Sequence, residues 1–273
     1  MVTLPNCPFT VFFRPDVDRS RDEVVVELGK MWSGTPAHVT TPYTFTVTKN
    51  GTQLFTQTIP YHWWWARWRW QSAPRPFVRT AASLIADKHF LPYTKAYLYG
   101  YRPWSTNYTY TPMGAAGQET FEVTPGDRRE LGPLTLPQSD YILLGTPLAK
   151  SSMIAQAESS GTMPIHVRDE NTGAWLDNQA HPYGGFINAG APGFPIPNPS
   201  FPRLNDDWDH NCFGMETSHS PSLTYAPYLF TDDPYYLEEL QAMALFNIIE
   251  ENYHPPIQKL PGLVNPGETR GTA

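Results

Sequence analysis

The chain has 273 residues, of which 40% are hydrophobic, 14% aromatic and only 16% charged. This composition excludes a disordered chain and a long coiled coil, and the length allows one large domain or two smaller ones. The formal net charge of −7 disfavours a general binder of nucleic-acid backbones. The sequence predicts neither a secretory signal nor a membrane span, so neither a membrane partner nor a localisation is assigned.

The first half of the chain predicts β-structure. Short β-branched and aromatic runs at 11–13 and 23–28 lie between turn residues. Residues 43–59 predict a β-hairpin, because apolar residues alternate with threonines around Asn50-Gly51, and that pair accepts the positive φ angles of a type I′ turn. We expect one face of the hairpin to be buried and the other exposed. Residues 1–136 are therefore predicted to form a β-rich, sandwich-like domain.

An aromatic and basic run, YHWWWARWRWQSAPRPF, occupies residues 61–77. Read as a strand, it has one face that is aromatic throughout and one that passes from aromatic to basic. The first face carries His62, Trp64, Trp68 and Trp70, and the second ends in Arg67 and Arg69. One interpretation is a strand enclosed in a core. The other is an aromatic platform for flat ligands, with arginine forks suited to carboxylates, which an acidic sugar would use.

The second half, residues 137–273, predicts a helical domain. Residues 138–159 have helical spacing, interrupted where Thr146 is expected to cap a new helix that starts at Pro147. A Pro/Gly loop follows at 181–202, and a loop of that length is usually functional or a linker.

Two consecutive helices are predicted after this loop. Ser220 is expected to cap a helix that starts at Pro221 and bends at Pro227, and Asp233 to cap a second helix that starts at Pro234. The apolar stripe of the second helix is predicted to comprise Leu237, Leu240, Ala244, Leu245, Ile248 and Ile249.

Two segments carry a resemblance to a known family. HSPSLTYAPYLFTDDPYYLEELQAMALFN, residues 219–247, resembles a His-x-Pro-Ser-x-x-Tyr…Thr-Gly-Asp-x-Tyr-Tyr-Leu-Glu-Glu-Leu segment of exo-rhamnogalacturonan lyase-like proteins and related bacterial and phage proteins. MPIHVRDENTG, residues 163–173, resembles a segment found upstream of it in the same group. The resemblance departs at Thr231-Asp232-Asp233, where the family has Thr-Gly-Asp.

The resemblance implies an α+β fold, with a β-rich N-terminal part followed by an α/α toroid that binds sugar chains. A full toroid needs about twice the predicted number of helices, so the toroid is expected to be incomplete and the chain to be a piece of a longer protein. The implied function is a carbohydrate-active enzyme that cleaves a polysaccharide, with a polysaccharide or oligosaccharide as partner.

Cleavage by β-elimination on an acidic sugar needs a base, an acid and a group that neutralises the carboxylate. His219 is the candidate base, Tyr225 or Tyr228 the acid, and Arg168 or Arg270 the neutralising group. A core or capping role is the alternative for each of these side chains.

Other chemistries stay open. A glycoside hydrolase would use two carboxylates, for which the candidates are Asp169, Glu170, Asp207, Asp209 and Glu216. A non-catalytic carbohydrate-binding or phage-associated module is a third hypothesis. No cofactor is predicted, although a divalent cation at Asp207, Asp209 and His210 is an alternative. The predicted substrate-binding residues are Trp64, Arg67, Trp68, Trp70, Arg168, Asp169, Glu170 and Trp208.

Overall fold

The structure is a computed structural model, and it describes residues 2–3, 9–16, 21–29, 42–62, 64–92, 94, 104–118, 130, 132–169, 171–177 and 220–251. The strands are β1 (Val2–Thr3), β2 (Phe9–Asp16), β3 (Arg21–Leu28), β4 (Tyr43–Lys49), β5 (Thr52–Ile59) and β6 (Arg67–Gln71). The helices are α1 (Ala81–Ala86), α2 (Leu136–Leu144), α3 (Pro147–Ser159), α4 (Tyr225–Thr231) and α5 (Pro234–Glu251), and a 3₁₀ turn, Ser160–Thr162, extends α3. The fold is α+β, as the sequence predicts. The predicted loop at 181–202 and both cysteines, Cys7 and Cys212, lie outside the described residues.

Four of the strands form an antiparallel sheet in the order β1-β2-β3-β6. Strands β2 and β3 pair from Phe9 opposite Leu28 to Asp16 opposite Arg21, and β6 adds to the far edge of β3 with Trp68 opposite Val26. Successive residues of a strand point to opposite faces, so this register gives the sheet one apolar face and one charged face.

Strands β4 and β5 form the predicted hairpin. Asn50 and Gly51 have φ angles of 51° and 79°, which confirms the two left-handed residues that a type I′ turn needs. Threonines pair across the exposed face, with 3.1 Å between the hydroxyls of Thr44 and Thr58 and between those of Thr46 and Thr56. The opposite face is buried against the apolar face of the sheet, where Val47 and Ile59 pack on Trp68.

Helices α2 and α3 start where the sequence places a cap followed by a proline. Thr135 accepts a hydrogen bond from the backbone of Gln138, and Thr146 accepts one from the backbone of Ala149. Gly145 lies between the two helices with a φ of 64°, the left-handed conformation that ends helices. The predicted break in this segment is confirmed.

Helix α4 is shorter than predicted. It starts at Tyr225 rather than Pro221, so Ser220 does not cap it, and Pro227 falls in its first turn. A proline in that turn removes no intrahelical hydrogen bond, so the expected bend has no cause. Helix α5 starts at Pro234, and the Asp233 carboxylate accepts a hydrogen bond from the backbone of Tyr235, which confirms the predicted cap.

The buried face of α5 differs from the predicted apolar stripe. The side chains of Leu237 and Ala244 are exposed. The buried residues of the helix are instead Tyr235, Tyr236, Glu239, Ala242 and Phe246. Hydrophobicity alone places a glutamate on the outer face, whereas the structure gives Glu239 charged partners inside the protein. The buried face of α5 is therefore rotated about the helix axis relative to the predicted stripe, so that it includes Glu239.

Helices α3 and α5 cover the charged face of the sheet. Val25 packs there against Ala157, Tyr235 and Tyr236. The remaining side chains of that face are mostly charged, and they pair with acids from the two helices. The β-rich and helical parts of the chain therefore meet through buried ion pairs.

Candidate functional site

The tryptophans of the aromatic run lie in or against the core. Trp68 is fully buried, with Phe45 edge-on at 5.2 Å between ring centroids and its indole N–H donating to the Tyr43 hydroxyl at 3.0 Å. Trp70 is half-buried and stacks near Phe55, and the Trp64 ring lies over Gly29. These contacts favour the enclosed strand over an open aromatic platform. The side chains predicted to stack on sugar rings instead hold the hairpin to the sheet.

Arg67 and Arg69 lie on the opposite face of β6 and are buried. Arg67 donates from Nε to Glu239 at 2.7 Å and from Nη1 to Glu238 at 2.8 Å. Arg69 donates to both oxygens of Glu158, at 2.8 and 2.6 Å, and to Asp233 at 2.8 Å. Opposing charges outweigh the burial that would lower the pKa of each guanidinium, and both pKa values are raised. Both arginines belong to the sheet–helix interface, and of the Arg67 guanidinium only Nη2, which is buried, has no hydrogen-bond partner among the described residues.

Arg168, the predicted neutralising group, is committed in the same way. Its Nε and Nη2 donate to the two oxygens of Glu27 at 2.6 and 3.1 Å, the bidentate geometry that arginine and carboxylate prefer. The guanidinium stacks on Trp175, 3.9 Å from the ring centroid. The neighbouring Asp169 accepts from the backbone N–H groups of Asn171 and Thr172 and so shapes a turn.

Glu239 is the centre of the charged interface. One carboxylate oxygen accepts from Arg67, and the other lies 3.0 Å from Nε2 of His166. Burial opposes ionisation of Glu239, but Arg67 and His166 outweigh it and lower the pKa of the carboxyl to about 2. Nδ1 of His166 lies 2.8 Å from the Trp65 carbonyl, so both ring nitrogens face acceptors.

The charges of this interface nearly balance. Among the described residues, five arginines and six carboxylates form one connected set of ion pairs. They are Arg14, Arg67, Arg69, Arg75 and Arg168 with Glu23, Glu27, Glu158, Asp233, Glu238 and Glu239.

A cavity of about 570 Å³ opens next to Glu239. Its wall comes from α5, the residues before α4, the turn after α3 and the residues before α2. The lining comprises Gly132, Pro133, Ser160, Met163, Ser220, Pro221, Ser222, Leu223, Thr224, Glu239, Leu240, Met243, Ala244 and Asn247. The lining is therefore an apolar bed with hydroxyl and amide groups at intervals, and Glu239 is the one ionisable side chain among its described residues. Ligand sites in proteins have this size and character.

The predicted catalytic tyrosines do not line the cavity. The Tyr225 hydroxyl donates to the His89 carbonyl at 3.4 Å, and its ring packs edge-on against Phe90. Tyr228 is partly buried where it contacts the core around Phe230. Their positions correspond to the core role that the sequence left open for them. His219, Glu216, Asp209, Glu170 and Trp208 lie outside the described residues, as do Asp207, His210 and Arg270.

The structure adds site residues that the sequence reasoning missed. Glu239 and Asn247 were not predicted, and neither were the serines at 160 and 222. A signal for Glu239 was available, because it lies four residues after Tyr235 and three before Ala242, on the face that helical spacing makes apolar. A charge at such a position indicates a buried partner.

Among the described residues, no three His, Cys, Asp or Glu side chains are grouped so as to hold a metal ion. The helices in that part of the chain are all too short or too polar to cross a membrane.

Comparison with known proteins returned no match: no family model, no curated protein and no solved structure is similar enough to this chain to assign it to a family.

Proposed function

We propose that the chain is a carbohydrate-binding protein and that the cavity beside Glu239 is its saccharide site. The carrying observation is the lining, which places an ionised carboxylate and several hydroxyl and amide groups around an apolar bed. Sugars present the same combination, with hydroxyl groups at the ring edge and C–H groups on the ring faces. Ser222 and the side-chain NH₂ of Asn247 are the groups of this lining that we propose to exchange hydrogen bonds with sugar hydroxyls.

The position of Glu239 supports the proposal. A carboxylate has about four lone-pair sites, and Arg67 and His166 occupy one site on each oxygen. The Glu239 side chain is about 1% exposed, so a ligand hydroxyl would reach a remaining site only from the cavity that the residue lines. Because its partners hold the side chain in place, the acceptor is already oriented before a ligand arrives.

Cleavage of the bound chain, by elimination or by hydrolysis, is a further part of the proposal, and it rests on the resemblance to the lyase-like proteins. That resemblance also leads us to propose the finer architecture: a sandwich-like β-part and helices that belong to an incomplete α/α toroid. The helix junction supports the local correspondence. Asp232 has a φ of 51°, the conformation that favours the glycine which the family has at this position.

The binding proposal is tested by isothermal titration with a panel of soluble oligosaccharides. Ala244 is exposed and lines the cavity, so Ala244→Trp should obstruct the opening with little cost to the fold. Leu237→Trp is the matched control, since Leu237 is exposed on the same helix and does not line the cavity. We expect at least one saccharide to bind the unchanged protein and the control, and to bind Ala244→Trp at least about tenfold more weakly.

Two results would count against the proposal. One is that no saccharide of the panel binds, and the other is that Ala244→Trp binds as tightly as the control. The same panel tests cleavage: elimination produces the absorbance of an unsaturated uronate, whereas hydrolysis produces reducing ends without it.

A further inference from the structure

We infer that the cavity selects neutral sugars over uronic acids. This inference rests on the proposed function and names the substrate class of the same site. It departs from the acidic sugar expected from the sequence, and three features of the described site carry it.

The first feature is the charge of the wall. Glu239 is an ionised carboxylate that contacts Arg67 and His166, and it is the single charged residue of the described lining. A uronate bound in the cavity would bring a second carboxylate toward it. Because Arg67 already neutralises Glu239, the described wall offers a uronate no net positive charge, so a sugar carboxylate would lose hydration without gaining a counter-charge, a cost that a neutral hydroxyl does not carry.

The second feature is the commitment of the nearby arginines. Arg67 lies directly behind Glu239, but its guanidinium pairs with Glu238 and Glu239, and the arginine is fully buried. Arg168 pairs bidentately with Glu27 under the Trp175 ring. A sugar carboxylate would gain either cation only by breaking a buried ion pair, which leaves a buried acid without its partner.

The third feature is the chemistry of the rest of the wall. Ser222 and the side-chain NH₂ of Asn247 offer neutral polar groups, while the Asn247 oxygen already accepts from Ser220 and the buried Ser160 hydroxyl already donates to the Ala157 carbonyl. Met163, Leu240 and Met243 offer apolar contacts. Neutral donors and acceptors pair with sugar hydroxyls, while apolar side chains suit the C–H face of a pyranose ring.

The test uses sugars that differ only at C6. Oligomers of glucose and galactose are compared with the corresponding oligomers of glucuronate and galacturonate, by titration in about 0.15 M salt. We expect the better neutral oligomer to bind at least about tenfold more tightly than its uronate counterpart. In the Ala244→Arg variant described next, lowering the salt concentration should narrow the difference between neutral and uronate affinity, because the introduced cation attracts the uronate.

Ala244→Arg places a cation at the cavity rim on a well-tolerated, exposed helix position. Because Ala244 lines the cavity, Ala244→Met is the uncharged variant of similar length, and relative to it Ala244→Arg should raise the ratio of uronate affinity to neutral affinity about tenfold. Leu237→Arg adds the same charge two helical turns away, outside the lining, and should change neither affinity by more than about twofold.

The outcomes separate the two proposals. Uronates that bind as tightly as their neutral counterparts, at a site that Ala244→Trp obstructs, overturn the selectivity and leave the saccharide site intact. Binding of neither class, or binding that ignores Ala244→Trp, overturns both. Both proposals are supported if Ala244→Trp obstructs the binding of neutral sugars and if uronate binding responds to Ala244→Arg but not to Leu237→Arg.

Discussion

At the scale of single residues, Asp232 shows how a local conformation constrains the sequence. It ends α4 with φ 51° and ψ 34°, and its backbone N–H donates to the Tyr228 carbonyl. The left-handed conformation is costly for residues with a Cβ, although the cost is smallest for Asn and Asp. Glycine adopts it without this cost. The aspartate at the junction of α4 and α5 therefore carries a small strain.

We expect Asp232→Gly to raise the free energy of unfolding by about 0.5 kcal/mol and Asp232→Ala to lower it by about 1 kcal/mol. Urea denaturation measures both. Asp232 also pairs with Arg79 across an exposed contact of 3.3 Å, so each variant is compared in an Arg79→Ala background that removes this pair. An alanine variant as stable as the glycine variant would contradict the conformational explanation.

Short-range features of this kind could be read from the sequence. The Asn50-Gly51 turn, the Thr146-Pro147 start of α3 and the Asp233-Pro234 start of α5 each depend on two or three adjacent residues. The start of α4 was wrong because Ser220-Pro221 has the same signature without the helix. A cap signal shows that a helix can begin at a residue, but packing decides whether it does.

At the scale of elements, α5 is held to the sheet by charge as well as by apolar contact. Glu239 has two buried partners, the guanidinium of Arg67 from β6 and the imidazole of His166 from the segment after α3. Removing one member of a buried ion pair leaves the other charge without compensation, which costs far more than the loss of an exposed pair.

We therefore expect Glu239→Gln to lower the free energy of unfolding by about 3–5 kcal/mol, because Arg67 would remain buried with Glu238 as its closest carboxylate. Lys49→Ala removes an ion pair of 2.6 Å to Asp22 that is largely exposed, and it should cost less than about 1 kcal/mol. Denaturant midpoints measured side by side check both, and equal losses would show that burial of the pair does not matter.

This interface could not be predicted from the sequence. The sequence placed Arg67 and Arg69 on one strand face and Glu238-Glu239 on a helix, but it did not bring the two together. Ion pairing depends on the register of β6 against β3 and on the rotation of α5, and both are set by tertiary contacts. The sequence therefore identified Arg67 and Arg69 as candidate residues, but it did not predict their role in the interface.

At the scale of the whole molecule, two buried groups make stability depend on pH in separate ranges. Burial lowers the pKa of His62 to about 4 from 6.5, although its hydrogen bond to the Ala66 carbonyl acts in the other direction. The pKa of the Glu239 carboxyl is lowered from 4.5 to about 2 in the folded protein. In both cases the unfolded chain takes up its proton at the higher pH, so acid favours unfolding.

The stabilisation from neutral His62 is complete above pH 6.5 and is lost as pH falls toward 4. That from ionised Glu239 is complete above pH 4.5 and is lost as pH falls through 2. We expect His62→Gln to flatten the stability curve in the first range, by an amount on the order of 3 kcal/mol, and Glu239→Gln to flatten it in the second. Urea midpoints across pH check this, and a variant whose curve runs parallel to that of the unchanged protein in its range would refute the assignment.

The buried ion pairs also have a consequence for how the chain reaches its fold. Arg67 and Glu239 are 172 residues apart in sequence, Arg69 and Asp233 are 164 apart, and Arg69 and Glu158 are 89 apart. Loop closure over such distances is slow. The sheet also emerges from synthesis long before the acids that cover its charged face, because those acids lie later in the chain. Until then Arg69 can pair with Glu23 and Arg67 with Glu27, since both acids belong to the sheet. We expect the later docking of α5 to bring Glu239 to Arg67 and so to complete the core and the charged interface together.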